Sequence, residues 1–153
     1  MANWCFNTVT FQGNDDQIEK LQELFLNMQA QFILQGKGQL PAFIQKESEY
    51  FFEMEMSDNV LNYVTKWSPN LETVREIADE FGVEFSFHYE ETANGIYGEA
   101  VYEKGNLKDT FLTIDDFASY IYDEEKDTYL FEGEYYENDG DILEILLNRR
   151  KEL

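Results

Sequence analysis

Several kinds of residue are scarce in this 153-residue chain, and each shortage excludes a kind of site. Cys5 is the only cysteine, so the chain can form neither an internal disulfide nor a cysteine-based zinc site. His88 is the only histidine, and the sequence signals neither a pocket nor an oriented nucleophile beside it. We therefore expect a protein that is not an enzyme, that uses no cofactor and that suits a reducing compartment.

Long apolar runs are also absent. The N-terminus reads Met-Ala-Asn-Trp-Cys-Phe-Asn, without the cationic stretch and apolar run of a signal peptide. No window of the chain approaches the length that spans a membrane. We expect a cytoplasmic protein that is neither exported nor inserted into a membrane.

Basic residues are few, since 11 Lys and Arg stand against 32 Asp and Glu, for a net charge of −21. Residues 84–144 hold 18 of the acidic residues and three of the basic ones, so we call this part of the chain the anionic pole. Such a surface repels nucleic acid and anionic membranes at long range and attracts basic partners. Direct binding of nucleic acid is therefore disfavoured, and the oligomeric state stays open.

Apolar and aromatic residues are abundant, at 43% and 16% of the chain. A disordered acidic tail carries far fewer, and the length suits one domain with a substantial core. We predict a single domain over residues 1–153. It divides into a ferredoxin-like core at residues 1–105 and an acidic extension at residues 106–153 that packs on this core.

The order of elements predicts an α+β fold with a split βαβ antiparallel sheet. Alternating hydrophobicity indicates strands at residues 3–11, 49–56, 60–67, 83–89 and 96–103, and helical spacing indicates helices near 15–35 and 70–81. Both helices should cover one face of the sheet, and a hairpin at residues 95–113 should extend it. In residues 49–56 we place Phe52, Met54 and Met56 on the buried face. Burial is expected for Leu21, Phe25, Val74, Ile77, Phe81, Phe85 and Phe87.

The extension carries weaker patterns. A short helix from the Thr113 cap to Ile121 and a single strand at residues 129–136 fit the apolar spacing. Asp141 is the predicted cap of a last helix, in which the basic cluster at residues 149–151 complements the helix dipole.

Two short motifs are distinctive. They are Asn-Trp-Cys-Phe-Asn at residues 3–7 and Thr-Lys-Trp-Ser-Pro-Asn at residues 65–70. With the segments at residues 50–52, 81–83, 89–91 and 98–100, they resemble the YubB ferredoxin-like domain family of bacterial plasmids, phages and other mobile elements. The resemblance covers about two thirds of the chain and implies a ferredoxin-like fold and a mobile-element setting. It implies no reaction, cofactor or catalytic residue.

Aromatic residues of the predicted sheet offer one candidate site. Trp4, Tyr50, Phe51 and Trp67 are of the type that stacks on bases in RNA-binding ferredoxin-like domains. Cations that would hold phosphates are missing, and acidic residues surround these rings. We interpret the four rings as core and sheet packing.

A calcium-loop spacing offers another. Asp123, Glu125, Asp127 and Glu134 occupy its first, third, fifth and twelfth places. Thr128 stands where the loop needs glycine, and a strand pattern follows in place of a helix. A weak calcium-binding module therefore stays an alternative.

Carboxylates of the anionic pole are the preferred partner-binding residues. The alternating pairs Glu84/Glu90, Glu99/Glu103 and Glu132/Glu134 would each line one face of a sheet, whereas His88 falls on the outer face with Glu84 and Glu90. Ten residues make up the prediction: Glu84, Glu90, Glu99, Glu103, Asp123, Glu124, Glu125, Asp127, Glu132 and Glu134.

The composition and the resemblance lead to one functional hypothesis. The chain is expected to be an anti-defence inhibitor that fills the cationic nucleic-acid groove of a host restriction nuclease or CRISPR effector, partly by mimicking the charge of DNA. The alternatives are a small interaction or structural domain with an unknown partner and the calcium-binding module. A solubilising role alone would also explain the acidic surface.

Overall fold

The computed structural model describes residues 3–153, and a six-stranded antiparallel sheet forms its centre. The strands are β1 (Trp4–Gln12), β2 (Phe52–Ser57), β3 (Val60–Lys66), β4 (Glu84–Glu91), β5 (Ile96–Glu103) and β6 (Asn106–Phe111). Their order across the sheet is β2-β3-β1-β4-β5-β6, and all neighbours are antiparallel. The first four strands have the split βαβ order, and the β5–β6 hairpin extends the sheet as predicted.

Two helices form the crossovers of this sheet, α1 (Asp15–Gln35) between β1 and β2, and α2 (Leu71–Phe81) between β3 and β4. Asn14 caps α1, because its side chain accepts a hydrogen bond from the Gln17 backbone N–H (2.9 Å) while the Gln17 side chain accepts one from the Asn14 N–H (2.8 Å). Gly36 and Gly82 end the helices with φ of 66° and 69°, which glycine adopts without a steric cost.

The helices α1 and α2 cover the same face of the sheet, which confirms the predicted fold. Val9 and Phe11 of β1 pair with Phe87 and Phe85 of β4, and these residues form one core with apolar residues of both helices. Of the residues expected to be buried, the structure buries Leu21, Phe25, Val74, Ile77, Phe85 and Phe87. The remaining one, Phe81, is half-buried.

A second layer lies on the opposite face, over β5 and β6. It contains α3 (Ile114–Phe117), a small antiparallel sheet of β7 (Ile121–Asp123), β8 (Thr128–Phe131) and β9 (Glu134–Tyr136), and α4 (Asp139–Lys151). Tyr97 of β5 faces this layer, because it pairs with Glu90 while the neighbouring Tyr89 faces the helix side. Tyr97, Leu112 and Phe131 form a second core with the apolar side of α4.

The three consecutive basic residues at the end of α4 fasten this layer. Arg149 pairs with Glu132 between β8 and β9, Arg150 pairs with Asp116 of α3, and Lys151 pairs with Glu99 of β5, each at 2.6 Å. The sequence assigned them to the helix dipole alone. Each of them also joins α4 to a different element.

Three details of the extension correct the predictions. The strand expected at residues 129–136 is the β8–β9 hairpin, because Glu132 and Gly133 take φ of 49° and 82° and reverse the chain. The helix from Thr113 is a single turn, and Ile121 begins β7. Asn138 caps α4 in place of Asp141, whose N–H donates to the Asn138 side chain at 3.2 Å.

A bulge corrects the prediction for β2. The register against β3 shifts between Phe52 and Glu55, and Glu53 takes φ of 51°. Phe51 is therefore fully buried in the core with Met54, whereas Phe52 is half-buried at the edge of the sheet, where its ring meets Phe32 of α1 edge-to-face. Across residues 3–153, no helix combines the length and the apolar character needed to cross a membrane.

The Arg150–Asp116 pair makes stability depend on pH. Burial by itself would raise the pKa of the Asp116 carboxyl, but hydrogen bonds from Arg150 and from the Thr113 backbone hold it below its usual range. Its stabilising contribution is thus present above about pH 4, where the unfolded chain ionises the same group, and is lost as the pH falls through the lowered pKa.

We predict that Asp116→Asn lowers the melting temperature by about 3 °C or more at pH 7, and that the difference closes as the pH falls through the lowered pKa of Asp116. Thermal melts followed by circular dichroism over this pH range measure the effect. Asp115→Asn is the matched control, because Asp115 is exposed and has no ion pair within residues 3–153. An equal loss in the control would contradict the assignment.

Candidate functional site

The acidic residues predicted on β4 and β5 do share one face of the sheet. Glu84 and Glu90 lie on the same side of β4 as His88, which pairs with Glu99, and Glu103 follows Glu99 on the same side of β5. This is the face on which the second layer packs. Glu103 is exposed, and the other three carboxylates are half-buried.

The remaining predicted carboxylates lie around the small sheet, but they do not form one patch. Residues 123–127 connect β7 to β8, and Glu132 and Glu134 flank the turn at the other end of β8. A four-residue strand separates these ends by roughly 13 Å. The ten predicted carboxylates of the anionic pole therefore fall into three groups. They are a sheet group (Glu84, Glu90, Glu99, Glu103), a first-turn group (Asp123, Glu124, Glu125, Asp127) and a second-turn group (Glu132, Glu134).

This separation also bears on the calcium alternative. Glu134 stands at the opposite end of β8 from the carboxylates that would supply the first three ligands. Asp123 instead accepts hydrogen bonds from the backbone N–H groups of Glu125 and Lys126, and Asp127 accepts one from the Tyr122 hydroxyl. Within residues 3–153, no three His, Cys, Asp or Glu side chains are grouped to hold a metal ion.

Two of the ten carboxylates are committed to internal ion pairs. Glu99 accepts from Lys151 at 2.6 Å, and both oxygens of Glu132 accept from Arg149, at 2.6 and 2.9 Å. Hydrogen bonding to Arg149 holds the pKa of Glu132 below its usual range. These two residues hold α4 in place. The carboxylates that remain exposed for a partner include Glu103, Glu124, Glu125 and Glu134.

His88 lies on the predicted face with Glu84 and Glu90. It is half-buried, and its ring stands edge-to-face against Tyr97 with centroids 5.0 Å apart. The adjoining cavity is small, about 210 Å³, and is lined by Thr8, Thr10, Ser86 and Glu99 among others.

The tryptophans correct another prediction. Phe51 is part of the core as expected, but Trp4 is 39% exposed and Trp67 is 54% exposed. Trp4 meets Phe52 edge-to-face on the sheet side opposite α1 and α2, with centroids 5.1 Å apart. Trp67 borders a cavity of about 490 Å³, which is also lined by residues 47–50, Phe52 and residues 65–70.

A buried polar network, which sequence reasoning missed, supports the loop that carries Trp67. Asn7 donates to the Thr65 hydroxyl (3.0 Å), which in turn donates to the Ser68 carbonyl (2.7 Å). Beside it, Tyr63 donates to the Asn70 side-chain oxygen (2.6 Å), and the Asn70 amide donates to the Glu49 carbonyl (3.0 Å). Asn7 and Thr65 stand at core-facing places of otherwise apolar strands, and this was the signal available in the sequence. Asn70 follows Ser68 and Pro69 at the start of α2, where no such pattern marks it.

The backbone at Trp67 is held in an unusual conformation. Its φ is 71°, in the left-handed region that costs a bulky residue about 1–2 kcal/mol. Its N–H donates to the Asn3 carbonyl at 2.7 Å, which ties the loop to the start of β1. The two distinctive sequence motifs therefore meet in space and together fix an exposed indole.

The split βαβ sheet with both helices on one face defines a ferredoxin-like domain. A family model described as the ferredoxin-like domain in Api92-like protein matches residues 46–132, more than half of the chain, and the chain belongs to this family. The matched segment runs from the residues before β2 through β8. No curated protein and no solved structure matches the chain.

The network predicts how the single thiol behaves. Cys5 is fully buried, its Sγ lies 3.6 Å from the Asn7 side-chain oxygen, and burial raises its pKa to about 11. We predict that iodoacetamide leaves the folded protein unlabelled at pH 8 and labels it once denatured, because the thiolate is the reactive form.

Asn7→Ala should destabilise the fold by about 1–3 kcal/mol, since it leaves the Thr65 hydroxyl without one buried partner, and should speed the labelling of Cys5. Asn62→Ala is the matched control on the neighbouring strand. Asn62 is exposed, and its side-chain oxygen accepts a hydrogen bond from the Thr8 hydroxyl outside the core. Mass spectrometry and urea unfolding measure both effects. Rapid labelling of the folded wild type would contradict this account.

Proposed function

We propose that this ferredoxin-like domain is a non-catalytic binding protein of a bacterial mobile element, acting in the cytoplasm. It inhibits a host defence nuclease by occupying the cationic groove that normally holds nucleic acid. The observation that carries the proposal is the anionic pole, with 18 acidic and three basic residues between positions 84 and 144. The mobile-element setting rests on the resemblance to the YubB family.

The placement of the carboxylates supports this role. Neighbouring strands lie about 4.8 Å apart, so Glu84, which accepts a hydrogen bond from the Lys104 backbone N–H, lies beside Glu103 and within the screening length of about 8 Å at physiological salt. The consecutive acids at residues 123–125 are similarly close to one another. Their fields therefore add. A groove built for phosphates focuses the opposite potential, so association should be fast and sensitive to salt.

The first experiment uses capture from bacterial lysate followed by competition. The captured protein should be retained at about 50 mM salt and released at about 500 mM, because screening weakens contacts between exposed charges. Duplex DNA should displace the domain from the purified partner, and the domain should inhibit the partner's cleavage of DNA. A partner that holds DNA and the domain together would refute groove occlusion.

Charge reversal tests the pole itself. We predict that Glu103→Lys, Glu124→Lys and Glu125→Lys together abolish binding, while the melting temperature holds or rises because self-repulsion falls. Each exposed contact contributes up to about 1 kcal/mol, so single reversals should do little. Glu132 is left intact because it fastens α4 through Arg149.

The matched control reverses Glu19, Glu55 and Glu80, three exposed acids outside the pole, and changes the net charge equally. It should keep most of the affinity, because the pole remains intact. Equal losses of affinity in both triple variants would show that binding depends on the net charge and not on the position of the carboxylates. Unchanged binding by the first variant would remove the pole from the mechanism.

The Trp67 cavity favours a second candidate, an interaction domain whose partner inserts a side chain beside the indole. Tryptophan is enriched among residues that dominate interface energies. Trp67→Ala should then abolish capture at both salt concentrations, whereas groove occlusion by charge predicts only a modest loss. His88→Ala should stay within a few-fold of the wild type under either function.

A further inference from the structure

The helix α1 has a second apolar face, and it points away from the sheet. Leu26, Ile33 and Leu34 are 53%, 73% and 79% exposed, with the exposed Ala30 between them. These positions recur at the spacing of one helical face, opposite the buried Leu21, Phe25 and Met28. A contiguous exposed apolar stripe on a soluble domain marks an interaction surface.

The charges around this stripe point to what covers it. From residue 24 to residue 46 the chain has no Asp or Glu and carries Lys37 and Lys46, although the molecule as a whole has a net charge of −21. The acidic residues of α1 lie in its first half, and Glu23 is the last of them. The stripe therefore has an acidic end at Glu23 and a basic end at Lys37.

We propose that this face binds a second copy of the chain, with the two α1 helices antiparallel across a two-fold axis at Ala30. Leu26 then lies opposite Leu34 of the second copy, and Glu23 lies beside the C-terminal end of its α1, which Lys37 follows. Residues 23, 26, 30 and 33 are spaced alternately by three and four, as along the seam of packed helices, and Lys37 follows the Gly36 cap just beyond the end of α1. The small side chain at the axis allows close approach.

In a two-fold pair the contact between the acidic and the basic end forms twice, because each copy supplies both ends from the same surface. Contact through the anionic pole would instead bring like charges together. Glu23 and Lys37 are exposed and form no ion pair within residues 3–153. The helical seam from residue 23 to residue 35 is roughly 18 Å long, which is short for a standard interface, so a dimer of micromolar affinity is expected.

Analytical ultracentrifugation of the full chain from about 1 μM to about 1 mM tests the proposal. The expected result is a reversible monomer–dimer equilibrium that tightens with salt, because screening reduces the repulsion between the copies. This salt response is opposite to that of the proposed nuclease complex, so either proposal can fail alone. A monomer throughout the range, or assembly beyond a dimer, would overturn the inference.

Substitutions test the seam. Leu34→Glu should weaken dimerisation at least tenfold, while Ile114→Glu, at a residue 82% exposed on α3, should leave it unchanged. Glu23→Lys and Lys37→Glu should each weaken the dimer, and the double variant should restore it. Failure of the double variant to restore dimerisation would refute the antiparallel register. Circular dichroism confirms that each variant is folded.

Cross-linking tests the axis directly. Ala30→Cys should form a disulfide-linked dimer under mild oxidation, because the two copies place this residue against itself, and the buried Cys5 contributes no background. Ser119→Cys, at an exposed position in the second layer, is the control and should stay monomeric. Equal cross-linking of both variants would refute the proposed axis. Binding of the wild type to zwitterionic lipid vesicles, abolished by Leu34→Glu, would show that a membrane covers the stripe and would overturn the proposal.

Discussion

Repulsion among 32 acidic side chains is the constraint under which the rest of this molecule is arranged, since only 11 basic side chains oppose it. Four of these cations form ion pairs that join separate elements. Arg149, Arg150 and Lys151 each connect α4 to a different partner, and Lys46 joins Glu49, before β2, to Glu76 of α2. Much of the acidic extension would otherwise be repelled from a sheet that is itself acidic.

The core was predictable because its patterns are long and regular. Eight residues of alternation in β4 and eleven of helical spacing in α2 leave one arrangement that turns their apolar sides toward the core. The extension has shorter elements, and there the local turn decides the structure. The run at residues 129–136 looks like one strand until Glu132 and Gly133 adopt positive φ, a conformation that hydrophobic alternation does not report.

The candidate sites show a different limit. Alternation correctly placed Glu84, Glu90 and His88 on one face, but it could not show that Glu99 and Glu132 are paired, because their cations come from the distant end of α4. Alternation also could not show which part of the sheet the second layer leaves uncovered. Trp4 was therefore assigned to packing, although it is exposed in the structure. Contacts between distant segments decide both questions.

The surfaces proposed for dimerisation and for nuclease binding lie on opposite sides of the central sheet. The apolar stripe of α1 faces outward from one side, and Glu103 belongs to the other side, with the second layer. A dimer formed through α1 would therefore leave both anionic poles accessible and directed away from the axis. A partner with two cationic grooves, or two copies of one partner, would then be bound with an avidity that neither pole has alone. The α1 stripe and the acidic pole would in this way act together, because the stripe has no acidic residue after Glu23 and so lets two such negative molecules meet.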